Sequence, residues 1–471
     1  MIDEDIAEYV LDAALSKESL LLAEVRVERI DTSNATVKAG EVNSVMSNRD
    51  AGMYVRVVLP TGIGFASSNR ISKPEGIELA RRALKIAKNP GRKTLVVLSK
   101  EAVVKTSWEV KQKKPLADVS IEDRVEFLRS LDKAVVKTKE KVDGRFYDIT
   151  DRVFTSYFAN SEGSRIGSVL PRITVNAYVL VSHKGETEQS MREWAGTGGW
   201  ERVDEWALPD KMDAEVRMLR KMIEKGKKVK PGRYDLVCGG EVSGIAAHES
   251  CGHPMEADRI LGREMSQAGK SFVSPDMIGQ KIGSVYATVI DDPTLPGSYG
   301  YYAYDHEGVR ARPRYLYKEG VINEFLHNRE TAGRLGVRSN GSSRSETYIR
   351  EPIVRMGNTY VAPGDFEEDE MFGSIKDGVL MKSFTEWNID DKRFNQKYVS
   401  REAYFIKDGE LAGPARGCAL EITTPGFWGA IDAASKRVEQ HAGECGKGDP
   451  IQSAPCYMGG SMIRLRGVTL K

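Results

Sequence analysis

The chain divides at Pro231-Gly232, where a long charged helical pattern stops and an apolar strand pattern begins. The helical pattern covers Lys211–Lys228, and the strand pattern covers Tyr234–Cys238. A chain of 471 residues is too long for one ordinary hydrophobic core, so two domains of roughly 200–250 residues each are expected. We therefore place a domain boundary near residue 230.

The two halves differ in their secondary-structure patterns. In residues 1–230, helices are predicted over Pro74–Ala87 and Ile121–Lys137, between short strands that include Thr36–Asn43. Residues 231–471 are richer in Gly, Pro and short strands, which is typical of a strongly bent or barrel-like antiparallel sheet. The predicted fold class is α+β, with an N-terminal mixed α/β domain and a strand-rich, metal-binding C-terminal domain.

Composition excludes several classes of protein. Hydrophobic residues make up 40% of the chain, and 69 Lys and Arg face 68 Asp and Glu, which leaves a net charge of +1. A dedicated nucleic-acid binder would carry a basic excess, so no nucleic-acid partner is expected. No apolar run reaches about 18 residues, the acidic amino terminus is unlike a signal peptide, and five cysteines form no disulfide framework. We expect a cytoplasmic protein without membrane association.

Two histidines and a glutamate, His248, Glu249 and His253, form the pattern H-E-x-x-x-H. Neutral imidazoles are common zinc ligands, and a glutamate beside one of them can activate a metal-bound water without ligating the ion. On a regular helix the extra residue opens the angle between the histidines from about 40° to about 140°. Gly252 and Pro254 allow the helix to loosen or end there, so that His253 turns back towards His248.

A catalytic zinc needs a third protein ligand and an open position. Cys445 is the favoured candidate, because the glycines that flank Glu444-Cys445 let the backbone bring a thiolate close to an ion. His441 and Cys456 are weaker candidates. The remaining cysteines are interpreted as small buried residues: Cys238, Cys251 and Cys418.

Two acidic residues follow the second histidine at short spacing. Glu256 and Asp258 could complete a two-histidine, one-carboxylate site. They suit equally well a role in which carboxylates orient the imidazoles through hydrogen bonds. We favour the orienting role.

Together these residues resemble the signature of the TldD-type metalloproteases of the TldD/PmbA family. The resemblance covers nearly the whole chain, and its most specific parts are the H-E-x-x-x-H segment and the Gly443-Glu444-Cys445 element. It implies a zinc ion held by His248, His253 and Cys445, with Glu249 as the general base.

The resemblance also implies an enclosed active site that admits unfolded or extended peptides and excludes folded proteins. It further implies a dimer, either a homodimer or a heterodimer with an inactive family partner that lacks the signature. The chain departs from the family pattern at His306, where a second aspartate is usual. The role of His306 is left open.

The leading hypothesis is a zinc-dependent peptidase. Two alternatives remain at this stage: a zinc amidase that acts on a non-peptide substrate, and a non-catalytic adaptor or modulator of a topoisomerase. A purely structural zinc site is disfavoured, because such sites are usually closed by four Cys or His ligands at short spacings.

Overall fold

The computed structural model describes residues 4–15, 20–89, 94–263 and 270–471. Its strands form two large sheets and one two-stranded ribbon. The helices are α1 (Glu4–Leu15), α2 (Lys73–Ala87), α3 (Ile121–Lys137), α4 (Glu201–Trp206), α5 (Leu208–Lys225), α6 (Gly240–Ala246), α7 (Ala257–Ile260), α8 (Arg329–Leu335) and α9 (Thr424–Gly429). None of the helices in these ranges is long and apolar enough to cross a membrane.

The first sheet has seven strands: β1 (Leu22–Lys38), β2 (Glu41–Leu59), β3 (Gly62–Ser68), β4 (Lys105–Glu109), β5 (Val142–Asn160), β6 (Arg165–His183) and β7 (Glu186–Thr197). Their order is β3-β2-β1-β5-β6-β4, and β7 also pairs with β6. Two hydrophobic cores form on this sheet. In one, helices α1 and α2 contribute Val10 and Leu79; in the other, α3 and α5 contribute Leu131 and Leu219.

The sequence located helices α2 and α3 to within one residue but misplaced one strand. Helix α3 covers the predicted residues, and its first turn is closed by reciprocal hydrogen bonds between Ser120 and Asp123. The predicted strand Thr36–Asn43 is wrong, because the chain reverses at Ala39-Gly40 between β1 and β2. Both turn residues have positive φ angles, and polar alternation continues on both sides, so periodicity alone does not locate the turn.

The second sheet has twelve strands: β8 (Lys227–Lys228), β9 (Gly232–Cys238), β10 (Val289–Asp291), β11 (Arg314–Lys318), β12 (Val321–Ile322), β15 (Asn358–Val361), β16 (Asp377–Ile389), β17 (Asn395–Lys407), β18 (Glu410–Arg416), β19 (Ala419–Thr423), β20 (Ile431–Lys447) and β21 (Gln452–Leu470). The ribbon joins β13 (Ser343–Arg344) to β14 (Ile353–Val354). Five of these strands form one closed ring, because β19 pairs with both β17 and β21. The ring consists of β9, β16, β17, β19 and β21. The predicted barrel-like sheet is confirmed.

Two connections in this domain position the candidate site. One residue, Gly239, separates β9 from α6, so the helix starts at the end of a central strand, and all its residues except Glu241 are buried. Strands β20 and β21 form an antiparallel hairpin in which Cys445 pairs with Ala454. The histidine segment is therefore placed by α6, and the cysteine is placed by β20.

Candidate metal centre

The helix that carries the histidines changes type at the motif. Residues 247–252 form a π-helical turn, and the His253 N–H donates to the His248 carbonyl five residues earlier. A five-residue step places residues i and i+5 on nearly the same face, whereas an α-helix would splay them. The two imidazole rings consequently lie 4.8 Å apart between centroids, at an interplanar angle of 83°.

Neighbouring residues hold the widened turn in place. The Ser250 hydroxyl donates to the Ala246 carbonyl at 2.7 Å and accepts a hydrogen bond from the Trp428 indole N–H at 3.1 Å. Gly252 is required by close packing, because a Cβ at this position would lie 2.0 Å from the Sδ of Met356. Gly252 therefore leaves room for the buried Met356 side chain, in addition to allowing the helix to loosen.

The structure brings Cys445 to the two histidines. One ligand atom from each of His248, His253 and Cys445 lies within 4.8 Å of the others, and the Cys445 Sγ is 3.3 Å from the His253 Nε2. All three are buried, with exposed fractions of 2%, 2% and 7%. Over the described ranges no other group of three His, Cys, Asp or Glu side chains has this geometry. His441 and Cys456 do not belong to the group.

The protonation states suit metal binding. Burial lowers the pKa of both His248 and His253, which favours the neutral imidazole that ligates metals. Burial raises the pKa of the Cys445 thiol, but the interactions of the sulfur with His253 and with the charge of Arg355 outweigh it and bring the pKa to about 7. A thiol with a lowered pKa readily supplies the thiolate that binds metals.

One unpaired atom supports this assignment. The Nδ1 of His248 is buried and has no hydrogen-bond partner within the part of the chain that the structure describes. A buried polar atom without a partner is costly, and a bound ion is one way to satisfy it. Two imidazoles and one thiolate form a donor set that fits zinc.

A buried ionic network supports the ring of His253. The carboxylate of Glu256 accepts from the His253 Nδ1 at 2.9 Å and from the Arg259 Nε at 2.7 Å. Lys447 lies 3.3 Å from the same carboxylate and donates to Asp258 at 2.7 Å. Glu256 therefore orients an imidazole, as the sequence suggested, whereas Asp258 contacts Lys447. Strand β20 supplies both Cys445 and this lysine, so the network ties the cysteine strand to the histidine segment.

Glu249 is buried at 4% exposure and is held by an arginine that sequence reasoning missed. Arg393, at the tip of the β16–β17 hairpin, donates a hydrogen bond to the Glu249 carboxylate. Burial raises the pKa of Glu249, and the positive charge of Arg393 opposes that rise. The arginine has a φ of 64°, an uncommon backbone conformation for a residue with a side chain.

Models of known protein families match three consecutive segments of the chain. A model of the PmbA/TldA metallopeptidase C-terminal domain matches residues 231–471, slightly more than half of the chain. Models of domain 1 and of the central domain of the same proteins match residues 23–87 and 114–225. The chain belongs to the PmbA/TldD metallopeptidase family.

Relatives within the PmbA/TldD family match over almost the full length. A metalloprotease of Methanocaldococcus jannaschii is 30% identical over 94% of this chain and 95% of its own. A zinc metalloprotease TldD homolog of Saccharolobus solfataricus is 24% identical over 94% of this chain and 95% of its own. A solved Thermotoga maritima protein, named as a modulator of a DNA gyrase, covers 99% of this chain and 100% of its own with a TM-score of 0.79. At 14% identity, that last likeness bears on the fold alone.

In this PmbA/TldD protein a large cavity lies against α6 and β20, the two elements that position the candidate metal ligands. Its volume is about 1150 Å³, and both halves of the chain line it, including β7, α5, α6, β16 and β20. Ile245 and Ala442 reach its wall, and each lies three residues before a proposed ligand, His248 and Cys445 respectively. The cavity exceeds the roughly 300–1,000 Å³ usual for small-molecule pockets.

The other residues singled out from the sequence lie apart from this centre. Cys238, Cys251 and Cys418 are buried free thiols, as predicted, and burial raises the pKa of each. His306 lines a different, smaller cavity between the N-terminal sheet and the C-terminal domain. It is not a member of the metal-binding group.

Proposed function

We propose that this protein is a zinc-dependent peptidase that hydrolyses unfolded or extended peptides. The observation that carries the proposal is the buried cluster of His248, His253 and Cys445, whose ligand atoms lie within 4.8 Å of one another. The zinc in the name of the Saccharolobus relative supports the choice of metal.

Zinc held by these three side chains would supply Lewis acidity, which acidifies water and polarises a peptide carbonyl. Glu249 follows His248 directly and has no role as a ligand in the group, so its carboxylate is available as a proton acceptor. Burial raises the pKa of Glu249, which moves it towards the range of an effective general base. Glu249 would take a proton from water and deliver it to the leaving amine, while Arg393 holds the carboxylate in position.

The shape of the site supports a peptide in extended form as the substrate. The proposed ligands are at most 7% exposed, so the surface of a folded protein has no direct access to them. The large cavity against α6 and β20 carries charges of both signs, with Glu241 paired to Arg192 at 2.6 Å and to Arg401 at 3.1 Å. Recognition of an extended backbone would then provide affinity with little preference for particular side chains.

Elemental analysis and peptide cleavage test this proposal together. Purified protein should contain about one zinc per chain, as expected of a three-ligand catalytic site, and should cleave casein and short peptides but spare a stable folded protein. A chelator should remove the activity, and added zinc should restore it. Protein that contains no zinc, or that cleaves a native thermostable protein efficiently, would contradict the proposal.

Two outcomes would point to other functions. Stoichiometric zinc with no cleavage of any peptide would favour amide hydrolysis of a non-peptide substrate at the same centre. A fully metal-loaded protein without hydrolytic activity that alters topoisomerase turnover would favour the modulator hypothesis. Dimerisation, with a copy of itself or with an inactive family partner, stays a prediction that analytical ultracentrifugation tests.

A further inference from the structure

A small cavity of about 70 Å³ lies between the first sheet and the C-terminal domain. Arg26, Arg152 and Arg172 line it from β1, β5 and β6, and Arg344 and His306 line it from the other side. Glu444 also reaches this cavity, and alternation along β20 puts Glu444 on the opposite face from Cys445. The cavity is therefore separate from the metal centre.

Three of the four arginines have no carboxylate partner in the described part of the chain: Arg152, Arg172 and Arg344. No carboxylate among the described residues lies within 4.0 Å of Arg172 or Arg344. The Arg344 guanidinium donates to the backbone carbonyls of Met356 at 2.7 Å and Pro455 at 3.0 Å. The Arg172 Nε donates to the Tyr299 carbonyl at 3.2 Å, and its two terminal nitrogens make no hydrogen bond with any described residue.

His306 adds a neutral hydrogen-bond donor to this cavity. Its Nδ1 accepts the backbone N–H of Ser345 at 3.0 Å, so the proton of the neutral ring is assigned to Nε2. Burial, together with the charges of Arg26, Arg344 and Arg172, lowers the pKa of His306 well below its usual range. The ring therefore stays neutral and presents an N–H.

Each glutamate that lines the cavity already forms an ion pair or accepts a hydrogen bond from another residue. Glu28 pairs with Arg26 at 3.0 Å, Glu444 accepts from the Tyr299 hydroxyl at 2.8 Å, and Glu346 accepts from the Ser453 N–H at 3.1 Å. Four arginines and three glutamates line the cavity, so the positive charges are in excess. Burial, followed by the nearby charge of Arg344, lowers the pKa of Arg172 to about 9, at which the guanidinium is still charged at neutral pH.

We propose that this cavity binds a small tetrahedral oxyanion, of the class of inorganic sulfate or phosphate, between the terminal nitrogens of Arg172 and the Nε2–H of His306. Guanidinium groups suit such anions because they offer parallel N–H donors. One water needs about 10–15 Å³, so the cavity has room for a small polyatomic ion and excludes a nucleotide or a peptide. Because Arg172 and His306 belong to different halves of the chain, the bound ion would join the two halves.

Titration calorimetry of the full-length protein with sodium sulfate tests the proposal, against sodium chloride at matched ionic strength. Sulfate is a weak ligand for zinc, so the signal would not report on the metal centre. We expect saturable binding with one site per chain and a rise in Tm above that in chloride, as for any ligand that binds only the folded state. Absence of saturable sulfate binding would overturn the proposal.

Two variants and a control locate the ion. Arg172→Gln should weaken sulfate binding at least about tenfold, because it removes a charge-assisted pair of donors. His306→Asp should abolish binding, because it places a carboxylate among the arginines. Arg70→Gln, at a surface arginine whose side chain is 77% exposed, should leave binding unchanged. Equal sulfate affinity in the wild type and in folded His306→Asp protein, checked by circular dichroism, would place the ion elsewhere and refute the assignment.

Discussion

The guanidinium of Arg393 donates a hydrogen bond to the carboxylate of Glu249, although 144 residues separate them in sequence. The hairpin tip that carries the arginine thereby reaches the residue next to a proposed metal ligand. Both side chains are largely buried, with exposed fractions of 11% and 6%. The proposed general base and the proposed metal ligands are therefore different side chains, and their two roles can be tested separately.

Replacing Glu249 with Gln should leave zinc content unchanged and reduce hydrolysis. Glutamine keeps the size and hydrogen-bonding capacity of the side chain but removes the proton acceptor. We expect kcat to fall by about 10²–10⁴-fold, the usual effect of losing a general base. Elemental analysis and steady-state kinetics on the same preparation provide the measurement. A metal-loaded variant with the parental rate would show that Glu249 is not the base.

Replacing Arg393 with Met should also lower kcat with little loss of zinc. The change leaves the Glu249 carboxylate buried without its cation, which favours the protonated and inactive form. A decrease of about 10-fold or more is expected from the loss of one buried ion pair. Arg393→Lys keeps the charge and should recover part of the activity. If the Lys and Met variants were equally impaired, packing by the hairpin tip rather than charge would explain the effect.

Replacing Cys445 with Ala should abolish stoichiometric zinc binding while the subunit stays folded. The matched control is Cys456→Ala, because Cys456 is also buried and lies in the same β20–β21 hairpin but outside the ligand group. Metal content measured after dialysis should separate the two variants. A full zinc content in the Cys445→Ala variant would show that another residue is the third ligand. Glu256, whose carboxylate accepts a hydrogen bond from His253, would be the first candidate.

Replacing Gly252 with Ala should destabilise the protein by about 1–3 kcal/mol, the usual cost of overpacking a well-filled core. The added Cβ would lie 2.0 Å from the Met356 Sδ, and Met356 is only 2% exposed. A shift of His253 should lower zinc affinity at the same time. Gly373→Ala is the control, since no atom lies within 4 Å of its ideal Cβ. Equal unfolding midpoints in urea for the two variants would show that Met356 moves aside freely.

His327 should make the folded state sensitive to acid. Burial lowers the pKa of His327 to about 4, against about 6.5 in an unfolded chain, so between these values the unfolded state binds more protons. The contribution of His327 to stability is present above pH 6.5 and is lost as the pH falls towards 4. Between pH 7 and pH 5 this amounts to about 2 kcal/mol. The free energy of unfolding, measured in urea, should therefore fall by about 2 kcal/mol more between pH 7 and pH 5 in the wild type than in His327→Gln. The same pH dependence in both proteins would refute the assignment.

The parts of the candidate site that depend on local spacing could be singled out from the sequence. His248 and His253 lie five residues apart beside Gly252 and Pro254, so both the metal motif and the break in the helix could be read from adjacent residues. Cys445 could be singled out because glycines flank its dipeptide. Short-range rules were adequate in these segments.

Long-range contacts could not be predicted in the same way. Arg393 lies at the tip of the β16–β17 hairpin, whose pairing contains several shifts of register, and no periodic pattern reveals that this tip reaches Glu249. The partner of Asp258 is Lys447, on a strand 189 residues away, and the residue type alone did not distinguish that contact from one to an imidazole. Tertiary packing decides both contacts.

The distance in sequence between the two parts of the metal centre also sets the order in which it can be assembled. The Cys445 thiol follows His253 by 192 residues, so at about 5–20 residues per second the ribosome delivers it about 10–40 s after the histidine pair. Strand β20 needs β21 as its partner, which comes later still. During synthesis, therefore, the histidines emerge into the cell well before the cysteine, and the complete set of candidate donors exists only after β20 has paired with β21.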